Sequence, residues 1–548
     1  MLERNHNSLF VILKFFICIS PAFIFNSCNQ HNQNKNIFHY NYASGIATLD
    51  PAFAKSQAVM WAVHQLYSTL VEIDDQTNII PSLAKSWNIS DDNLTFTFHL
   101  RTDVFFHDNK MLFGDKKRLL TANDVVYSFK RIIDKNTASS GAWIFNNRVD
   151  TVNGFKAIDD STFQLRLIRP FHPVLGILSM QYCSIIPHEA VEKYGNDFRR
   201  NPCGTGPFKF VVWEEGQALI LKKNKSYFEK DSAGYQLPYL DGIKVSFYDS
   251  KATEFLEFQQ GRLDFINDID ASFKDEVLTK KGELRKEWQG RIILNKHPYL
   301  TTEYLGFLVD TTNDLVKKSP LKSKEIRQAI NYGIDKKKMM LYVRNSIGTA
   351  AESGFIPQGF PSFDSTFKGY PYNQTKALQL LQKAGYPNGS GLPPIKLLTI
   401  PEYADLGTYI ANELQQVGIK VRVEATQKSL LLEQTSKSQA LFFRGSWIAD
   451  YPDAENYLSV FYSHNPAPPN YTRYKNPDFD LLYEKALAEK IDSIRLKIYR
   501  QADRLVMNDA PVVPLWYDMV IHLVHPYVKG FVSNSFNLLE LRRVTINK

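Results

Sequence analysis

Two carboxylates, Asp450 and Asp453, lie in the aromatic stretch WIADYPDAENYLSVFYS at residues 447–463. A carboxylate among apolar and aromatic side chains is costly unless something positive meets it. Three uses fit that setting. A pair of acids can flank a glycosidic bond, one as general acid and the other as base or nucleophile. A single acid can meet a cation, each charge compensating the other away from water. The structural use is a helix cap on DAENYLSVF, which suits Asp453 best, or a pair between Asp450 and Arg444.

Other catalytic arrangements are missing from the chain. It has no GxxxxGK[ST] phosphate loop, and GTGPFK at 204–209 lacks the third glycine of a dinucleotide fingerprint. HEAVEK at 188 has one histidine where zinc proteases need two, and no GxSxG elbow occurs. Twelve histidines form no cluster, and no CxxC or His–Cys spacing suggests zinc. No metal, no cofactor and no catalytic residue is expected. The carboxylate pair leaves a hydrolase as a weak reading, with no other convincing catalytic constellation.

Four cysteines fall at 18, 28, 183 and 203. The first 27 residues carry Arg4 and Lys14 and then an apolar run to Phe25, too short to span a bilayer with ease. The run ends in FNSC, which resembles the lipobox of bacterial lipoproteins. Residues 1–27 are therefore expected as a lipoprotein signal peptide, with Cys28 lipidated. NQHNQNKN follows as a polar tether, residues 28–36. Cys183 and Cys203 are then an even pair in an exported chain. They are expected as a disulfide, with two buried free thiols as the alternative.

These residues need elements to position them. In a chain of 548 residues at least two domains are expected. The net charge of +8 comes from 65 basic and 57 acidic residues mixed throughout, so no nucleic-acid tail is present. LTFTFHLR alternates like a half-buried strand, and STFQLRLIR and ALILKKN read as further strands. Thr121 and Asp124 form a capping box ahead of a helix. Later, 323–341 reads as one helix, TKALQLLQKAG as another, and IKLLTI, residues 403–417 and IKVRVEA as a βαβ unit. Asn476 caps a helix with Pro477 at its first position, and another helix runs from Asp492 to about Met507. PVVPLWY reads as too rich in proline for a helix interior or a central strand.

Several stretches, in this order, resemble the solute-binding proteins of bacterial oligopeptide and dipeptide ABC importers, solute-binding family 5. They are TLDPAFAKSQAVMWAVHQLYSTLVEID, LTANDVVYSFKRIID, NPCGTGPFKF, IRQAINYGIDKKKMM, WIADYPDAENYLSVFYS and YKNPDFDLLYEKA. The insert MLFGDKKRL departs from the pattern. The resemblance implies an α/β, two-lobed periplasmic binding protein fold, type II-like, with an extra subdomain in the first lobe. It implies lobe 1 at 37–80 and 201–298, the extra subdomain at 81–200, lobe 2 at 299–510, and a tail returning to lobe 1 at 511–548.

The same resemblance implies that the aspartate of a W-x-A-D motif, here Asp450, pairs with a peptide α-amino group. Trp447 forms part of the cleft wall, and Tyr451 and Arg444 are further ligand-binding candidates. The GTGP turn shapes the hinge side of the cleft. The expected partners are a short peptide, an ABC permease with a separate ATPase, and the membrane through the lipid anchor. The expected receptor is an exported, monomeric lipoprotein. A metal chelate, haem or an oligosaccharide are the other ligands open to this fold.

Overall fold

The computed structural model describes residues 36–150 and 152–548. The expected signal peptide, Cys28 and all of the expected tether except Asn36 lie outside the described residues.

The architecture is organised by one large mixed sheet. Its strands are β1 (Ile37–Asn41), β2 (Phe208–Glu214), β3 (Ala218–Lys223), β4 (Gly242–Ser246), β5 (Phe265–Asn267), β6 (Ile293–Phe307), β7 (Ile395–Thr399), β8 (Val421–Ala425), β9 (Phe442–Ile448) and β10 (Val512–Val524). The order across the sheet is β8-β7-β9-β6-β10-β5-β1-β4-β3-β2, with the short strand Thr349–Ala350 pairing off the path with β10. Residues 38–265 supply most of one hydrophobic core, joined by Val524–Val544 from the C-terminal end. Residues 300–516 build two others. The fold is thus the mixed α/β, two-lobed arrangement expected.

The long strands β6 and β10 connect the lobes. The 293–298 half of β6 pairs only with β10, whereas residues 301–307 also pair with β9 of the second lobe. The far end of β10 pairs with β5 of the first lobe. A register shift between Pro298 and Thr302 marks the crossing. A separate four-stranded antiparallel sheet, spanning Ala84–Ile89, Thr95–Leu100, Thr162–Arg166 and Phe155–Asp159, backs the first lobe.

Several local expectations hold. Thr121 and Asp124 form the capping box of the helix Ala122–Ile133. Strands β7 and β8 are parallel and joined by the helix Ala404–Gln415. Asn476 caps Pro477–Ala488 by accepting from the Asp478 N–H at 3.0 Å.

Three expectations are corrected. PVVPLWY, from Val512 onward, lies within β10, a central strand. Its Pro514 stands opposite Tyr304 beside a register irregularity, so the missing N–H falls where the ladder is already interrupted. The run 323–341 is two helices, Lys324–Tyr332 and Lys336–Val343. Asp335 breaks it, because its carboxylate accepts from the Lys338 N–H at 2.9 Å and so starts the second helix. Cys183 and Cys203 form no disulfide; both are free, buried thiols. Cys203 points its Sγ at the His107 carbonyl, 3.6 Å away, and Cys183 is packed in the apolar core. Burial raises both thiols, Cys203 to about 12, so the thiolate needed for oxidation is scarce.

Candidate functional site

Strand β9 ends at Ile448, and Ala449 and Asp450 continue from it to the mouth of a cavity of about 410 Å³. One wall is the helix Gln57–Leu66, which presents Gln57, Met60 and Trp61. Trp143 and Tyr182 come from the short helical turns Ala142–Ile144 and Gln181–Cys183, and Tyr299, Leu300, Ile448, Ala449 and Asp450 complete the lining. A second cavity of about 660 Å³ shares Trp143 and Asp450 and continues between Arg148, Phe171, Trp447 and Tyr462. Asp450 therefore stands where two inter-lobe chambers meet. Volumes of this size accommodate small molecules and short peptides.

The surroundings of Asp450 are sparse. Its carboxylate accepts from the Asn456 side-chain amide at 3.1 Å, and its N–H donates to the Asn456 carbonyl oxygen at 3.2 Å. Among the described residues no arginine, lysine or histidine forms an ion pair with it. The residue is open to the cleft yet flanked by protein on both sides, and this burial raises its pKa above the usual carboxylate range, opposed by the Asn456 bond.

Trp447 is held beside it. The indole N–H donates to Asn456 through both the backbone and side-chain oxygens, at 3.0 and 3.1 Å. Asn456 thus fixes the ring and the carboxylate together. Tyr451 lines the second cavity, but its hydroxyl is spent on Glu455 and its ring is buried in the first-lobe core. Glu455 also accepts from Tyr483.

Arg444 is placed elsewhere. It pairs with buried Glu303, which also accepts from the Ser446 hydroxyl at 2.6 Å, and lies 3.8 Å from the Tyr403 ring centre. It lines neither cavity that contains Asp450. Asp453 accepts from the Glu455 N–H at 2.9 Å at the start of Glu455–Leu458 and pairs with Arg495. With Asp453 neutralised in this way, the two aspartates do not form an acid–base couple.

The GTGP turn acts at one remove. The Gly206 N–H donates to the Leu66 carbonyl at 3.0 Å, and a Cβ on Gly206 would lie 2.5 Å from the Leu66 backbone. The turn packs against the end of the helix whose start faces the cleft. Trp61 is fixed from the other side, its indole N–H donating to the Asn537 carbonyl at 2.6 Å.

One group of metal-type donors, Asp124, His188 and Glu189, occurs among the described residues. Arg118 pairs with both acids at 2.7 Å, so a guanidinium already supplies the cation.

Trp143, Tyr182, Tyr299 and Asn456 escaped the sequence reading. The first three come from segments far apart in the chain and follow no local pattern. Asn456 was legible in principle, six residues after Asp450 in the same run.

Comparison with known proteins identifies the family and the fold. Residues 78–469 match the model of the bacterial extracellular solute-binding proteins, family 5 Middle. The chain is 28% identical over 525 residues to Heme-binding protein A of Haemophilus influenzae, covering 92% of this chain and 91% of that one. It is 26% identical over 505 residues to the Dipeptide-binding protein of Escherichia coli, covering 88% and 89%. The solved structure of the ABC transporter-associated periplasmic binding protein DppA from Helicobacter pylori, in complex with peptide STSA, superposes with a TM-score of 0.72. That match has 26% identity and covers 94% of this chain and 98% of the other. Members of the family bind solutes and carry out no chemistry. The chain belongs to the bacterial extracellular solute-binding proteins of family 5.

Proposed function

We propose that the protein captures short peptides with a free amino terminus in the inter-lobe cleft and delivers them to an ABC import permease. The observation that carries this reading is Asp450: a cleft carboxylate whose one side-chain partner among the described residues is a neutral amide. A peptide ammonium would supply the missing charge, and lobe closure would exclude water from the pair. Trp447 would form the wall beside it. The Tyr451 hydroxyl and Arg444 are already engaged with Glu455 and Glu303, so neither is proposed as a ligand contact. Ile448 and Ala449 run past the cavity in extended continuation of a strand, which suits main-chain bonding to an extended peptide.

The export reading completes the proposal: Cys28 carries lipid, and residues 28–36 tether the receptor to a membrane. Among the described residues no helix is long and apolar enough to cross a membrane. Mass spectrometry of material released from the purified protein tests the ligand class. Short peptides support the reading. Haem, which one relative is named for, would replace it and would show at once in the absorption spectrum.

A further inference from the structure

The first-lobe edge of the large sheet has an unusual outer face. Lys222 on β3 stands opposite Gly242 on β4, and Lys244 on β4 stands opposite Ile220 on β3. Paired residues share a face, and so do residues two apart on one strand. Lys222, Lys244 and Ile220 therefore point the same way. Val212 on β2 pairs with Ile220 and joins them, and Glu214, opposite Ala218, lies on the same face farther from the two lysines. Lys222 and Lys244 are exposed, and Ile220 and Val212 are each 36% exposed, high for branched apolar side chains in a sheet.

At the end of these strands lies a cavity of about 380 Å³ lined by Lys209, Lys222, Lys223 and Lys225. Asp108 at its rim neutralises Lys209 at 2.7 Å, which leaves three lysines in excess. The sheet register places the chain's entry beside this end. Ile37 is in register with Gly242, itself opposite Lys222. The Asp241 N–H donates to the Asn36 carbonyl at 2.7 Å, and the Lys223 N–H donates to the Asp241 carbonyl at 2.8 Å. Asn36 is thus two strand spacings, about 10 Å, from the lysines. Between Cys28 and Asn36 the chain can span at most about 30 Å.

We propose that this lysine-rich face of β2, β3 and β4 docks on the anionic phospholipid headgroups of the membrane that holds the tether. The cavity takes a headgroup phosphate, and Ile220 and Val212 rest at the interface. The proposal rests on the export reading for the presence of the tether, but the face acts independently of the lipid on Cys28. Docking there keeps the receptor's first lobe on the bilayer and restricts how the cleft meets a permease.

Vesicle co-sedimentation tests it on residues 36–548, which form one compact unit with their own cores and carry no lipid. The chain should sediment with vesicles of phosphatidylcholine and phosphatidylglycerol and not with phosphatidylcholine alone, and half-molar salt should release it. Each lysine near an anionic surface adds about fivefold to binding. The double variant Lys222→Glu, Lys244→Glu should therefore lose more than about tenfold. Lys396→Glu, on β7 near the opposite edge of the sheet, should bind like wild type. Equal binding to both vesicle types, salt-independent binding, or an equal loss in Lys396→Glu would overturn the proposal. Lipid mass on Cys28 of the mature protein is a separate measurement, so failure of the anchor and failure of the face are distinguishable.

Discussion

Asn456 donates its side-chain amide to the Asp450 carboxylate at 3.1 Å while its own carbonyl oxygen accepts from the Trp447 indole and the Asp450 N–H. One neutral side chain therefore orients both the charge and the aromatic wall of the cleft. Replacing Asn456 by Ala should leave the fold intact and weaken peptide binding. A hydrogen bond to a charged group contributes about 1.5–3 kcal/mol, so affinity should fall on the order of ten- to a hundredfold. Calorimetry with the co-purified peptide checks this, and unchanged affinity would remove Asn456 from the site.

The contact between Gly206 and the end of the helix Gln57–Leu66 leaves no room for a methyl group. Gly206→Ala should lose about 1–3 kcal/mol of stability, because the atoms it would meet are backbone and cannot swing away. The melting temperature should drop, and binding should weaken with it, since the same helix carries Met60 and Trp61 to the cleft.

The two thiols give a clean chemical outcome. In native residues 36–548, iodoacetamide should leave Cys183 and Cys203 unmodified, because both are buried and protonated. After unfolding in guanidinium without reductant, both should alkylate. A disulfide would instead block both until a reductant is added.

Buried Asp503 should make stability depend on pH. Its carboxylate accepts from the Phe355 N–H at 2.8 Å, yet burial pushes its pKa up to about 7 from an ordinary 3.8. The folded state therefore holds a proton that the unfolded chain releases. This stabilising contribution is complete below pH about 4 and is lost as pH rises to about 7. At roughly 1.4 kcal/mol per pKa unit it amounts to a few kcal/mol. Denaturant melts of wild type and Asp503→Asn across that window should diverge, with the wild type losing more stability as pH rises.

The sequence revealed the local elements better than their assembly. The Thr121–Asp124 box, the Asn476 cap and the β7–helix–β8 unit were readable because each depends on neighbours within a few turns or one crossover. Strand β10 was not readable, since the opposing irregularity near Tyr304 that tolerates Pro514 lies about 200 residues away. The thiols were misread because counting cysteines says nothing about where their side chains point. Asp450 stood out by its apolar company. That Arg444 belongs to Glu303 depends on the pairing of β6 with β9, which local spacing does not encode.

The central claim is that Asp450 meets the amino terminus of a bound peptide. The most direct measurement is calorimetry of the co-purified peptide, with its amino terminus free or acetylated, against wild type and Asp450→Asn. Breaking a buried ion pair costs about 3–5 kcal/mol, so either change alone should lower affinity on the order of a hundred- to a few-thousand-fold. The two together should cost little more than one, because both abolish the same interaction. If the acetylated peptide binds wild type as tightly as the free one, Asp450 is not the amine anchor and the account fails at its centre.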